Sequence, residues 1–362
     1  MRARRVSGRI GRGIIGRIIA LSLALPLLGG VSVSQAQGFR QAREIVHVAG
    51  DVYRASNGNW WAIFMVTPEG IVLGDPLNLQ FSTWLKGELD ERFEVPVRYV
   101  VYSHSHFDHA EGGAVFADTA VFVAHENMRR NMDGRYPQMP GDMVDRNLNG
   151  LIDPEDIMVP TNAKPGFCGM FGGFHAQIDR NGDGVATPAE LQQDIVPPDI
   201  VYSERMQIEL GGKRVELIHP GKNHSNDATV MLFPEERVLF ATEFIADALV
   251  TDDIRSLPSA CGPFDGSPLD EWIRSYRTVE ALDFDVGAGG HGRVLFDKGA
   301  VTETRIYFED LKAAVETAMA AGMSLAAMQE TITLEQYSGW VNYERLLRDN
   351  IEAAYLNLTR YR

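Results

Sequence analysis

A cluster of metal-binding side chains directly after an apolar segment constrains this chain more than any other feature. The stretch HSHFDH contains His104, His106, Asp108 and His109, and residues 95–102 before it alternate and then run apolar, as a buried strand does. In an extended segment, residues two apart point the same way, so His104 and His106 can converge on one ion while Asp108 and His109 reach a neighbouring one. Imidazole nitrogens and carboxylate oxygens are zinc ligands. The pattern favours a metal centre at a strand end over a solvated histidine-rich loop.

The rest of the chain alternates between strand and helix patterns. Short strands are predicted over residues 45–75, a helix over 82–93 and a helix–strand unit over 114–125, and strands resume over 207–220, 228–243 and 283–291. From residue 302 to the end the apolar spacing is helical. Two β-rich halves with interspersed helices predict an α/β sandwich. Its halves are placed at residues 37–140 and 197–300, with C-terminal helices over 301–362 packed on the same domain.

The HSHFDH stretch resembles the HxHxDH signature of the metallo-β-lactamase superfamily, and later motifs follow in that family's order over about residues 45–294. The resemblance implies an αββα sandwich with two zinc ions. The first ion would be held by His104, His106 and His224. The second ion would be held by Asp108, His109 and His291. Each of these residues lies just past an apolar strand pattern.

One position departs from the family pattern. Where the resemblance implies an aspartate that bridges both metals, this chain has Glu243. Glutamate is an oxygen ligand one methylene longer, so we expect it to bridge; the alternative is a helix-capping residue that binds no metal. Position 246 is alanine, so the lysine that binds the β-lactam carboxylate in one β-lactamase subclass is missing, as is that subclass's cysteine ligand.

Two twelve-residue loops between the halves fit the EF-hand register, with oxygen ligands, a central glycine and an acid at the last position. The insertion is placed at residues 141–196, and the loops start 34 residues apart. We expect one or two calcium ions and a rigid flap beside the zinc site; Cys168 and Cys261 are either a disulfide that pins it or two buried thiols. The predicted ligands are Asp145, Asn147, Asn149, Leu151, Asp153 and Asp156 in the first loop, and Asp179, Asn181, Asp183, Val185, Thr187 and Glu190 in the second.

The N-terminal residues 1–36 predict a secretory signal peptide, with arginines, an apolar stretch and a small-residue cleavage site. The alternative, a membrane anchor, needs about 20 apolar residues, more than this stretch has. Six of the chain's 34 basic residues lie in this segment, against 49 acidic residues in all. A mature chain with a net charge of roughly −21 is a poor partner for nucleic acid or anionic membranes. We therefore expect a periplasmic or secreted protein, with no protein partner.

The resemblance implies a dinuclear zinc hydrolase in which metal-bound hydroxide cleaves an ester, lactone or amide-type bond of a small molecule, with β-lactams among the substrates. Asp108 would both bind metal and orient the hydroxide. Two alternatives stay open: a noncatalytic calcium-binding scaffold, and an iron-loaded oxidoreductase on the same fold. Trp60 and Trp61 are assigned either to a substrate mouth or to the core.

Four further residues are interpreted as residues other than metal ligands. His219 is interpreted as a partner of a ligand or as a strand-end residue rather than as a ligand. Asp227 is expected to orient the loop that carries His224. His125 and His47 are interpreted as surface or packing residues.

Overall fold

The computed structural model describes residues 43–132, 195–242, 255–258 and 267–361. Several sequence predictions lie outside these residues: the signal peptide, the calcium loops, Cys168, Cys261 and the bridging role of Glu243. They stay predictions. Among the helices that are described, none is long and apolar enough to cross a membrane.

The first sheet combines an antiparallel meander with a parallel half. Strands β1 to β4 pair antiparallel in succession, which confirms the short strands predicted over residues 45–75, and β4 to β7 pair parallel. The described strands follow chain order: β1 (Ile45–Ala49), β2 (Val52–Asn57), β3 (Trp60–Thr67), β4 (Gly70–Gly74), β5 (Val97–Val101), β6 (Val121–His125) and β7 (Ile200–Tyr202).

The second sheet contains the later strand patterns. Its spatial order is β13-β12-β11-β10-β9-β8, with β11 and β12 parallel and the other neighbours antiparallel. The bounds are β8 (Arg205–Leu210), β9 (Lys213–Ile218), β10 (Val230–Phe233), β11 (Val238–Phe240), β12 (Val286–Ala288) and β13 (Leu295–Phe296).

Helices flank both sheets. The predicted helix over 82–93 begins earlier, because the Asn78 side chain accepts a hydrogen bond from the Phe81 amide and caps it. Likewise, Asp297 caps the first C-terminal helix by accepting from the Ala300 amide. The α-helices are α1 (Leu79–Phe93), α2 (Phe107–Ala110), α3 (Asn127–Asn131), α4 (Leu269–Glu280), α5 (Lys298–Ala320), α6 (Leu325–Thr331) and α7 (Tyr343–Arg360), with 3₁₀ turns at Glu111–Phe116 and Glu335–Tyr337.

Side-chain alternation shows how these elements are layered. In β3, Ala62 and Phe64 pack in a core with α1, whereas Ile63 and Met65 pack in a second core against β8 to β12. The outer face of the second sheet packs in a third core with α4, α5 and α7. Strands buried on both faces read as continuous apolar runs. The layers are therefore helix, sheet, sheet, helix, as the α/β sandwich prediction expected.

The residues singled out by the sequence lie where strands end. The HSHFDH stretch follows β5, His219 and the His224 loop follow β9, and His291 follows β12. In sheets with parallel strands, sites form at the carboxyl ends, where the chain leaves the sheet and its side chains are free to converge. The fold thus gathers distant sequence segments at one edge.

Candidate metal centre

The stretch after β5 turns sharply, which points its ligand-type side chains in different directions. The chain bends at Ser103 and Ser105, and the short helix α2 begins after His106. His104, His106 and His109 are almost completely buried, with 3%, 2% and 0% of their surfaces exposed. Burying polar imidazoles costs free energy unless each nitrogen has a partner. The placement therefore requires a polar or metal-binding function.

The first group consists of His104, His106 and His224, whose candidate ligand atoms all lie within 4.8 Å of one another. His224 Nε2 is 3.0 Å from His106 Nδ1. That separation is a hydrogen-bonding distance, and it is also close to what two nitrogens bound to one zinc ion, each about 2.0–2.1 Å away, would show. Residues 118 positions apart in the chain thus meet in one ligand set.

The second group consists of Asp108, His109 and His291. Asp108 Oδ2 lies 3.4 Å from His109 Nε2 and 3.8 Å from His291 Nε2, and the two nitrogens are 3.0 Å apart. A point equidistant from three atoms so spaced lies about 2.0 Å from each, the length of a zinc–nitrogen or zinc–oxygen bond. Two imidazoles and a carboxylate are also the donor chemistry that divalent transition metals prefer. The group therefore fits a bound metal ion.

The two groups are neighbours. The His104 and His109 rings, one from each group, have centroids 4.7 Å apart. All six residues assigned to the two metals by the sequence are thereby brought together in the predicted grouping. Glu243, the seventh, lies outside the described residues, as do the calcium-loop residues.

A buried carboxylate that the sequence interpretation missed supports both groups. Asp75, which follows β4 with a left-handed φ of 59°, is fully buried. Its Oδ2 faces His109 Nδ1 at 3.1 Å and accepts from Ser103 Oγ at 2.7 Å, while its Oδ1 accepts from the Ser103 amide at 2.7 Å. Ser103 Oγ in turn lies 2.9 Å from His104 Nδ1.

These bonds assign the tautomers of two ligands. His109 Nδ1 is protonated and donates to the Asp75 carboxylate. The Ser103 hydroxyl donates its hydrogen to Asp75 and can therefore only accept from His104 Nδ1, which is protonated as well. Each ring then turns its Nε2 atom toward the metal position. Asp75 was recognisable as the acid directly after the apolar run IVLG, one strand away from the histidine cluster.

The loop after β9, which carries His224, is held by hydrogen bonds from amide and hydroxyl side chains. The Asn127 side chain donates to the Asn226 carbonyl at 2.8 Å, and that of Asn131 donates to Asn226 Oδ1 at 2.9 Å. Ser225 donates to the buried Asp227 carboxylate, whose pKa burial raises to about 6. Asp227 therefore contacts the His224 loop as expected, and its role in orienting that loop stays a prediction.

His219 and His125 form a stacked pair apart from both groups, with ring centroids 4.0 Å apart. His219 Nδ1 donates to the Ala228 carbonyl and His125 Nε2 to the Ser203 carbonyl, both at 2.8 Å. Burial and, to a smaller extent, the neighbouring His219 lower the pKa of His125 to about 4. His219 is thus a strand-end residue and His125 a packing residue rather than a surface one. His47 is exposed and bonds the Gly50 carbonyl.

The two tryptophans divide between site and core. Trp60 is half-buried, and its Nε1 donates to Asp108 Oδ2 at 3.0 Å. Trp61 is only 2% exposed and stacks on Arg54. The alternatives that the sequence left open are resolved differently for the two residues: Trp60 lies at the metal centre and Trp61 in the interior.

Comparisons with known proteins agree with this geometry. The curated 2,4-dinitroanisole O-demethylase subunit alpha of Nocardioides sp. (strain JS1661) is 25% identical over 206 residues, 54% of this chain. This chain spans only 40% of the length of that subunit. The solved sec-alkylsulfatase Pisa1 from Pseudomonas sp. is 16% identical with a TM-score of 0.58, over 89% of this chain and 50% of the sulfatase. A double mutant of that sulfatase gives a TM-score of 0.60 over 88% of this chain and 51% of its own.

At 16% identity these structures support the fold alone. The family itself is shown by a sequence model described as the Metallo-beta-lactamase superfamily, which matches residues 82–291. That match covers more than half of the 362 residues and spans all six residues of the two groups. The chain belongs to the metallo-β-lactamase superfamily.

Proposed function

We propose that this protein is a metal-dependent hydrolase with two metal positions, which cleaves an ester, lactone or amide-type bond in a small molecule. The observation that carries the proposal is the pair of adjacent three-residue groups, each with its donor atoms within 4.8 Å of one another. Buried histidines grouped in this way have no evident structural use. A protein without metal-dependent activity would also have no reason to keep six ligand-type residues together.

Each residue has a distinct part in the proposed chemistry. Bound divalent ions would polarise the substrate and lower the pKa of an attacking water molecule. Asp108 turns Oδ2 toward His109 and His291, so its Oδ1 is the atom that would accept a hydrogen bond from that water and orient it. Asp75 holds the His109 ring in the tautomer and direction that metal binding needs.

We propose zinc as the metal at both positions, since five of the six donors are imidazoles and the sixth is a carboxylate. An iron-loaded oxidoreductase is the alternative, and elemental analysis of the purified protein separates the two. Zinc near two equivalents per chain supports the hydrolase, and iron with zinc absent overturns it.

The substrate class is best approached with a panel of five substrates that differ in the bond to be cleaved. The panel includes the β-lactam nitrocefin, an aryl ester, a lactone, a secondary alkyl sulfate and 2,4-dinitroanisole; the last two are chosen from the names of the similar proteins. Wild-type protein is compared with a chelated sample, with His106→Ala, and with His47→Ala as a matched control at an exposed histidine outside both groups.

Turnover of at least one substrate that is lost in the chelated sample and in His106→Ala, and kept in His47→Ala, supports the proposal. A folded, zinc-loaded sample inactive on the whole panel contradicts it and favours the noncatalytic calcium-binding scaffold. Retention of activity in His106→Ala would also contradict it.

Export and calcium binding stay part of the proposal. N-terminal sequencing of protein from the periplasm or medium tests cleavage near Gln37. Thermal denaturation with and without calcium, in wild type and in Asp179→Ala with Glu190→Ala, tests the second loop. We expect calcium to raise the melting temperature of wild type more than that of the variant; equal responses would contradict a role for this loop.

A further inference from the structure

The β2–β3 hairpin is paired with the loop that carries His291. The Trp61 amide donates to the Gly290 carbonyl at 2.8 Å, and the Gly292 amide donates to the Asn59 carbonyl at 2.9 Å. Trp60 and His291 form an isolated antiparallel bridge between these bonds. The His291 loop, residues 289–293, therefore lies along the hairpin as a short added strand.

A buried arginine holds the same loop through three hydrogen bonds. Arg54 in β2 is 1% exposed and donates to the carbonyls of Arg293, Gly289 and Gly292 at 3.2, 3.2 and 3.0 Å. Its guanidinium also lies 4.0 Å from the centroid of the Trp61 ring. Burying a guanidinium is costly, and desolvation lowers the pKa of Arg54 to about 9. Three carbonyl dipoles and the aromatic face of Trp61 offset that cost. The guanidinium charge of Arg54 therefore stabilises the backbone of the His291 loop.

Trp60 contacts two members of the second group directly. Its indole Nε1 donates to Asp108 Oδ2 at 3.0 Å, the same oxygen that faces His109 and His291. Its ring meets the His291 ring edge to face, with centroids 5.8 Å apart. One side chain thus limits the rotation of both a carboxylate and an imidazole.

We propose that this hairpin is the positioning element of the second metal position: Arg54 holds the His291 loop and Trp60 holds Asp108 and His291, which sets affinity there independently of the first position. The third residue of the first group, His224, is held from a different part of the chain, through Asn226 and α3. The inference rests on the proposed two-metal centre. It adds that the two positions can be uncoupled by residues that bind no metal.

The test is a metal titration of chelated protein with Zn²⁺, and with Co²⁺ for its visible spectrum, on two variants. Trp60→Phe keeps an aromatic ring and removes the indole donor; Arg54→Lys keeps the charge and removes the forked donor geometry. Matched controls are Trp84→Phe, a partly buried tryptophan on α1, and Arg92→Lys, an exposed arginine on the same helix that donates to the Glu88 carboxylate.

We expect both variants to bind the first equivalent as wild type does and the second roughly 10–100-fold more weakly, the usual effect of losing a hydrogen bond that orients a metal ligand. The Co²⁺ spectrum of the second equivalent should weaken in step, and the controls should match wild type. If Arg54→Lys fails to fold by circular dichroism, Trp60→Phe decides alone.

The outcomes separate this inference from the proposed function. Wild type that binds two equivalents, with variants whose second affinity is unchanged, overturns the inference and leaves the two-metal centre intact. Equal weakening of both equivalents overturns it too, because the hairpin would then act on the whole centre. Wild type that binds fewer than two equivalents overturns the proposed centre and the inference together.

Discussion

The two loops that complete the metal centre reach the same kind of position by different means. The His224 loop is held by amide side chains on α3 and, within the loop itself, by the Ser225 hydroxyl, which donates to the Asp227 carboxylate. The His291 loop is held by a buried guanidinium, a tryptophan and main-chain pairing to a hairpin. The two bonds from α3 join neutral groups, whereas all three bonds from Arg54 are charge-assisted, a kind about twice as strong as a neutral bond. Ligand-type residues of similar geometry therefore differ in how firmly the fold holds them.

Each of the two loops also contains a glycine that its structure requires, for a different reason in each loop. Gly221 in the first loop has φ +110°, a conformation that side chains rarely adopt. Gly290 in the second loop is needed for space, because an added Cβ would lie 2.4 Å from Thr242 Cγ2 and 3.0 Å from His109 Cε1. One loop needs glycine for its backbone and the other for close approach to a ligand.

The largest effect is expected at Asp75. This residue supports both groups, so the difference between the two loops does not apply to it. Asp75→Asn keeps the shape but removes an acceptor that faces Ser103 and His109. We expect both metal positions to weaken, each by roughly 10–100-fold, in a titration of chelated protein with zinc. Weakening of only one position would show that Asp75 belongs to a single loop.

Crowding the second loop should have the next largest effect. Gly290→Ala forces Thr242 or His109 to move and should cost about 1–3 kcal/mol, as overpacking does, with loss of the second metal before the first. Urea denaturation and metal analysis check this. The matched control is Gly87→Ala on α1, where an added Cβ meets nothing within 4 Å. That control should be neutral or stabilising, and equal losses in both variants would contradict the assignment.

Low pH should reduce the free energy of unfolding through His125, whose ring stacks on His219 at the start of the first loop. Above pH 6.5 this histidine is neutral in both states; between 6.5 and about 4 only the unfolded chain binds the proton. Stability is therefore full above pH 6.5 and falls as the pH drops toward 4, by up to about 3 kcal/mol. His125→Gln should reduce this loss.

Urea denaturation at several pH values, on wild type and His125→Gln with equal metal content, measures the difference. Asp227, whose raised pKa of about 6 acts in the opposite sense, is common to both and cancels. Parallel pH profiles of the two proteins would show that His125 does not carry the effect.

The smallest effect is expected from a single neutral contact of the first loop. Asn127→Ala removes the donor to the Asn226 carbonyl and should cost about 1 kcal/mol, with modest weakening of the first metal position only. A loss of zinc affinity confined to the second position would contradict the assignment of Asn127 to the first loop. Thermal denaturation and zinc titration provide the two measurements.

Much of the centre was predictable because its signals are local. His104, His106, Asp108 and His109 lie together in the chain, directly after an apolar strand, so neither their residue types nor their spacing needed distant contacts to be recognised. His224 and His291 followed from the family resemblance and from their places after strands. The strand and helix patterns were also readable, since alternation and helical spacing are properties of short segments.

Arg54, Asp75 and the His125–His219 pair were not predicted in their roles. An arginine in a strand and an acid before Pro76 look ordinary in sequence, because their partners lie far away: Arg54 contacts carbonyls 235 to 239 residues later. The stacked histidines join the ends of strands in different sheets. Such partners have no local pattern to recognise.

By itself, the sequence determined the ligand types, their placement after strands and the layered α/β plan, because side-chain chemistry and periodicity are written residue by residue. The tertiary structure alone decided which buried groups hold those ligands: Asp75 beside both groups, the hydrogen-bond network of the His224 loop, and the hairpin against His291. The physical reason is that burial leaves each polar atom dependent on whichever distant atom the fold places within hydrogen-bonding reach.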